Sequence, residues 1–75
     1  MIAYLEGTVL HRDDESCVLL TAGGVGYHVS MTSSGVASLP GTGDTARLFV
    51  YTLVREDALT LYAFISREER QAFAT

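Results

Sequence analysis

Lysine is absent from this 75-residue chain; its five basic residues are all arginine, at Arg12, Arg47, Arg55, Arg67 and Arg70. Set against nine Asp and Glu, they leave a formal net charge of −4. A whole-surface grip on nucleic acid needs clustered cations that displace phosphate counterions, so that class of function is excluded. A single cysteine, Cys17, rules out an intramolecular disulfide framework and fits a reducing compartment. The first residues, Met1-Ile2-Ala3-Tyr4-Leu5-Glu6, lack the basic start and long apolar core of a signal peptide. The longest apolar stretch, Leu48–Val54 interrupted by Thr52, is far short of the roughly 20 residues that span a bilayer. A soluble, cytoplasmic protein is expected.

What the chain does have is apolar residues. They make up 48% of it, against 19% charged, with a mean hydropathy of +0.24. A disordered tail is excluded. A chain this short buries only about 60% of the surface its unfolded form exposes. The apolar surplus therefore predicts a second buried surface, supplied by further copies or by another part of its own protein.

Five short strands and the start of a helix are expected. Residues 2–11 are β-rich, with Gly7 marking a bulge or sharp bend. A charged turn, Arg12–Glu15, leads to a second apolar run over 16–21, and Gly23, Gly24 and Gly26 punctuate the chain after it. Tyr27, Val29 and Met31 then alternate with His28 and Ser30, the period of a half-buried strand. Residues 32–44 read as a long connection with one helical turn at 35–39. Strands over 45–54 and 59–65 are joined by the tight link Arg55-Glu56-Asp57-Ala58. Ser66 and Glu69 have capping-box spacing and open a helix with no stop signal, which is expected to continue past Thr75. The pattern suits an all-β, five-stranded Greek-key barrel of the OB-fold type over 1–65, with 66–75 beginning a C-terminal helix. Both faces of 48–54 and 59–65 are apolar, whereas a barrel strand shows one face to solvent. Cover from other copies or a docked domain is expected, the alternative being the chain's own loops and helix.

Little in the chain carries reaction chemistry. Gly24-Val25-Gly26 and Gly41-Thr42-Gly43-Asp44-Thr45-Ala46 each lead into a strand, without the helix N-terminus that binds pyrophosphate. They are turns. His11, Cys17 and His28 show no metal-ligand spacing, and no nucleophile elbow is present. Asp13, Asp14 and Glu15 read as a solvated turn. Glu56 and Asp57 sit at the tip between the two most apolar strands, yet acidic turn residues are common. On pattern alone they are a turn as readily as a site. No cofactor or metal is expected.

Four pieces in order carry a family resemblance: Met1-Ile2-x-x-Leu5-x-Gly7; Gly23-Gly24-Val25-Gly26-Tyr27; Val54-Arg55-Glu56-Asp57-Ala58-x-x-Leu61-Tyr62-x-Phe64; and Glu69-Arg70. Together they resemble the N-terminal domain of the RuvA family over essentially the whole chain, least well over 32–44. The resemblance implies an OB-fold domain that assembles about a fourfold axis into a homotetramer, or further into an octamer. It implies a non-catalytic subunit of a branch-migration complex in homologous recombination and DNA repair, active in the SOS response to DNA damage. ATP hydrolysis would belong to the RuvB motor, reached through a third domain. Four-way junction DNA would be held mainly by helix-hairpin-helix motifs of a second domain. Glu56 and Asp57 match the family's acidic pin at the junction centre. Arg55 beside them is either a phosphate contact or an ordinary solvated arginine. The competing reading is a free-standing OB-fold module for single-stranded nucleic acid, built on aromatic platforms and a basic groove. A β-module that binds only proteins is the third.

Overall fold

The structure, a computed structural model, describes residues 2–74; Met1 and Thr75, the outer ends of the two expected segments, lie outside the described residues. Its elements are β1 (Tyr4–Arg12), β2 (Ser16–Leu20), β3 (Gly26–Ser30), α1 (Ser33–Ala37), β4 (Thr45–Val54), β5 (Leu59–Phe64) and α2 (Arg67–Ala74). The strands close into a barrel in the order β1-β2-β3-β5-β4, with β4 returning to β1. Neighbours are antiparallel except β3 and β5, which close the seam in parallel through Ser30 and Tyr62. This is the five-stranded OB-fold barrel, with α1 in the connection between β3 and β4. The helical turn begins two residues earlier than the pattern suggested, because Thr32 caps it: its Oγ1 accepts from the Gly35 N–H at 3.0 Å.

Alternation along each strand builds the interior. Leu5 and Val9 from β1, Cys17 and Leu19 from β2, and Val29 from β3 point inward. Leu48 and Val50 from β4, with Leu61 and Ala63 from β5, meet them. Val36 and Leu39 plug one end from α1 and the residues after it. Thr52 is the buried polar member of the β4 row. Its hydroxyl donates to the Ile2 carbonyl at 2.7 Å and accepts the Ile2 N–H at 3.1 Å. Both polar groups of Ile2 are thereby satisfied, and the N-terminal segment is fixed to the barrel.

Gly7 is a site of close approach rather than a bulge. It stays in register with Ala46 of β4, and a Cβ there would run into the Leu20 carbonyl oxygen and lie 2.8 Å from its carbon. The irregularity in β1 comes later, between Val9 and His11, where Leu10 is the extra residue in the ladder with β2.

The apolar outer faces of β4 and β5 are covered in part from within the chain. Phe73 of α2 meets Tyr51, Tyr62 and Phe64 at ring-centroid distances of 5.5, 5.0 and 5.2 Å. Arg70 Nε donates to the Val50 carbonyl at 2.7 Å and its guanidinium lies over the Tyr51 ring. Tyr4 packs edge-on against Phe49 at 5.5 Å. The C-terminal helix thus supplies part of the expected cover, while Phe73 itself remains 49% exposed. The capping box forms as expected: Glu69 N–H donates to Ser66 Oγ at 3.1 Å, and Glu69 Oε1 accepts from the Ser66 N–H.

Burial pushes the Cys17 thiol above its ordinary value, against a smaller opposing pull from the Arg12 guanidinium. The folded state therefore keeps its proton when the unfolded state has lost it. This contribution to stability is complete below the unfolded thiol's pKa and is lost as pH rises above about 8.5. Urea titrations of the wild type and Cys17→Ala across pH 7–10 should show a steeper alkaline loss in the wild type.

Two substitutions test the frame. Gly7→Ala should cost about 3 kcal/mol or more, at or beyond the upper end of overpacking, because the obstructing atoms are backbone. Thr52→Val should cost about 1–3 kcal/mol by leaving the Ile2 groups without partners. Denaturant midpoints check both; a Gly7→Ala variant as stable as the wild type would contradict the close approach.

Candidate nucleic-acid-facing site at the β4–β5 hairpin

Strands β4 and β5 pair without interruption from Phe49 opposite Phe64 to Val54 opposite Leu59. Beyond that pair, Arg55 N–H donates to the Ala58 carbonyl at 2.7 Å, and Ala58 N–H returns a longer 3.4 Å bond. Glu56 and Asp57 are thus the two residues of the turn. No described non-glycine residue has positive φ, so the turn is neither of the mirror-image types usual in two-residue hairpins. Asp favours such a turn, and Glu at a tip meets no steric demand.

Every residue from Val54 to Leu59 is exposed. The Glu56 and Asp57 side chains make no hydrogen bond or ion pair among the described residues, and neither does Arg55. The tip therefore presents two uncompensated carboxylates, with one arginine at its edge. The hairpin also overhangs the barrel. The inward row Leu48, Val50, Thr52 continues to Val54, and the facing row Ala63, Leu61 continues to Leu59, yet Val54 is 69% and Leu59 62% exposed. These two occupy core-facing positions with no core beneath them. The alternation could have revealed them, had the end of the barrel been known; the length of the overhang is a tertiary property.

The remaining charges are engaged elsewhere. Arg12 donates to the carbonyls of Val36, Leu39 and Pro40 at 3.1–3.3 Å, closing the C-terminal end of α1. Arg47 pairs with Glu6 at 3.2 Å, and Arg70 is held on Val50 and Tyr51. Among the described residues only Arg55 and Arg67 have guanidinium groups without such a partner. The acidic turn at Asp13–Glu15 borders a broad hollow of about 1050 Å³ with Arg12 and Ser33, but its best-placed cation already binds α1. Asp13 is taken by His11 at 3.2 Å and by Ser16. His28 is exposed, and Cys17 lies in the core 3.9 Å from Met31 Sδ. Among the described residues no group of three or more His, Cys, Asp or Glu side chains comes together. No helix among those residues is long and apolar enough to cross a membrane.

Aromatic platforms are similarly committed. Tyr4 contacts Phe49, Phe73 contacts Tyr51, Tyr62 and Phe64, and Tyr27 packs on the core. A single-strand-binding groove would need such rings free beside a run of cations. Among the described residues no run of unengaged cations stands beside these rings.

The chain is 49% identical over 73 residues to the Holliday junction branch migration complex subunit RuvA of Oleidesulfovibrio alaskensis, a match covering 97% of the chain. It is 48% identical over its whole length to the same subunit of Solidesulfovibrio magneticus, and 43% to that of Maridesulfovibrio salexigens. The chain spans 36–37% of the length of these curated relatives. Residues 1–63 match the family described as the RuvA N terminal domain. By fold, by matched length and by identity, the chain belongs to the RuvA N-terminal domain family.

Proposed function

We propose that this chain is the N-terminal domain of a non-catalytic, junction-binding subunit that supports branch migration during recombination and repair. The barrel over 1–65 is its first domain, and residues 66–75 lead toward a helix-hairpin-helix domain. The observation that carries the reading is the pair of exposed, uncompensated carboxylates on a hairpin that reaches past the barrel. The relatives bear the name of a Holliday junction branch migration complex subunit, and they supply the substrate class.

The mechanism is selective repulsion. In a homotetramer with its hairpins gathered near a fourfold axis, four Glu56-Asp57 pairs share one region. Two unit charges ~8 Å apart repel by about 0.5 kcal/mol in water and about 2 kcal/mol at an effective dielectric near 20. Several carboxylates together disfavour any phosphate brought to the centre. Strands changing partners at the crossover are kept apart there. The domain's own charge of −4 and its few free arginines give it little attraction for DNA. Affinity comes from the domains that follow, and motion from an ATP-hydrolysing RuvB partner. Arg55 touches backbone at the margin of the repelled zone, where its side chain is free to reach.

In the full-length protein, Glu56→Gln with Asp57→Asn should leave stability within about 0.5 kcal/mol, since both groups are exposed and unpaired. Junction-over-duplex preference should fall several-fold, corresponding to about 1–2 kcal/mol of removed repulsion. Competitive binding at fixed salt and a branch-migration assay measure it. If migration and preference both match the wild type, repulsion is not the mechanism.

A further inference from the structure

The carboxylates explain why phosphate is kept from the hairpin, but not why the residues beneath them are apolar and bare. Val54 and Leu59 face each other across the two strands, in line with core rows, and remain 69% and 62% exposed. Resting on the junction-binding reading above, we propose that this pair is a wedge that takes unpaired nucleobases at the crossover.

The occupant is set by size and charge. A stable protein–protein interface takes about 800 Å² from each partner, and two aliphatic side chains on a narrow hairpin supply only a small part of that. Next to them stand Glu56 and Asp57, with no compensating partner among the described residues. A phosphate brought there is opposed by those two negative charges. An unpaired base is neutral, presents a flat apolar face, and carries exocyclic amino groups on adenine and cytosine that can donate to a carboxylate. Apolar side chains are used in this way elsewhere, inserted at base steps to hold them unstacked. The hairpin thus combines an outer tip hostile to backbone with an inner step hospitable to bases. The wedge holds open pairs that the repulsion has helped to separate.

Permanganate oxidation of thymines placed at the crossover reads base opening directly. In the full-length protein bound to a four-way junction, Val54→Ser with Leu59→Ser should lower crossover reactivity about threefold or more, for a wedge that offsets part of the unstacking cost. Junction affinity should stay within about twofold, because phosphate contacts dominate affinity. Glu56→Gln with Asp57→Asn, measured in parallel, separates the two ideas. If the carboxylate variant loses reactivity and migration while the serine variant keeps both, the repulsive tip stands and the wedge is overturned. If neither variant changes anything, both fail. Sedimentation and thermal melting of the serine variant complete the test: loss of oligomeric state or of fold assigns the pair to subunit contact or barrel support, and overturns the base-binding role.

Discussion

Strand β1 belongs to two ladders at once, and the backbone approach between Gly7 and Leu20 is the contact that makes this possible. Residues Tyr4–Thr8 pair with β4, while Thr8–Arg12 pair with β2. At the overlap the two partner strands crowd the same stretch of β1, and a side chain at position 7 would hold them apart. Absence of a Cβ lets the barrel close. Closure in turn fixes β4, whose pairing with β5 determines how far the hairpin extends beyond the core. The position of Glu56 and Asp57 is therefore a consequence of packing on the far side of the same strand. Thr52 reinforces the link by tying Ile2 to β4 one turn of the pleat before the overhang begins.

Charge is distributed so that little of it is available for attraction. Arg12 ends α1, Arg47 answers Glu6, and Arg70 anchors α2 to β4. Each of these arginines serves the fold, and each makes a nucleic-acid groove harder to assemble on this domain. The carboxylates at 56 and 57 show the opposite pattern, standing where no cation among the described residues meets them. Exposed charges contribute little to stability whether paired or not. Leaving these two unpaired thus costs the fold almost nothing and gives the hairpin a field directed outward. A domain with that distribution has little of its own with which to attract a polyanion.

Local rules were enough for the elements and their order. The strand over 45–54, the hairpin link at 55–58 and the Ser66–Glu69 box are each set by residues within a few positions of one another, and all three form as expected. The failures of local reading share a cause. Gly7 announces an anomaly, but only the position of Leu20 decides that it is a close approach, and the extra residue falls at Leu10 instead. The doubly apolar faces of β4 and β5 call for cover without saying whose, and Phe73 supplies part of it by sitting where Tyr51, Tyr62 and Phe64 converge across two strands. The acidic tip is visible as composition, and the family resemblance implies a role for it. Its overhang was not visible, since the place where the core stops depends on the whole barrel.

That overhang changes how the hairpin should be understood. Had the β4–β5 ladder ended at the rim, Val54 and Leu59 would be core and the carboxylates would lie on the barrel's surface, screened by water on one side only. Carried beyond the rim, the same alternation puts apolar groups into solvent and surrounds the charges with it. Solvent on all sides weakens each charge, so the tip gains force only when something of low dielectric, such as stacked bases, comes close. On the wedge proposal the apolar pair would invite that approach, and the approach would strengthen the repulsion felt by neighbouring phosphates. Wedge and repulsive tip would then act as one device: bases settling on Val54 and Leu59 would expel the water that otherwise mutes Glu56 and Asp57.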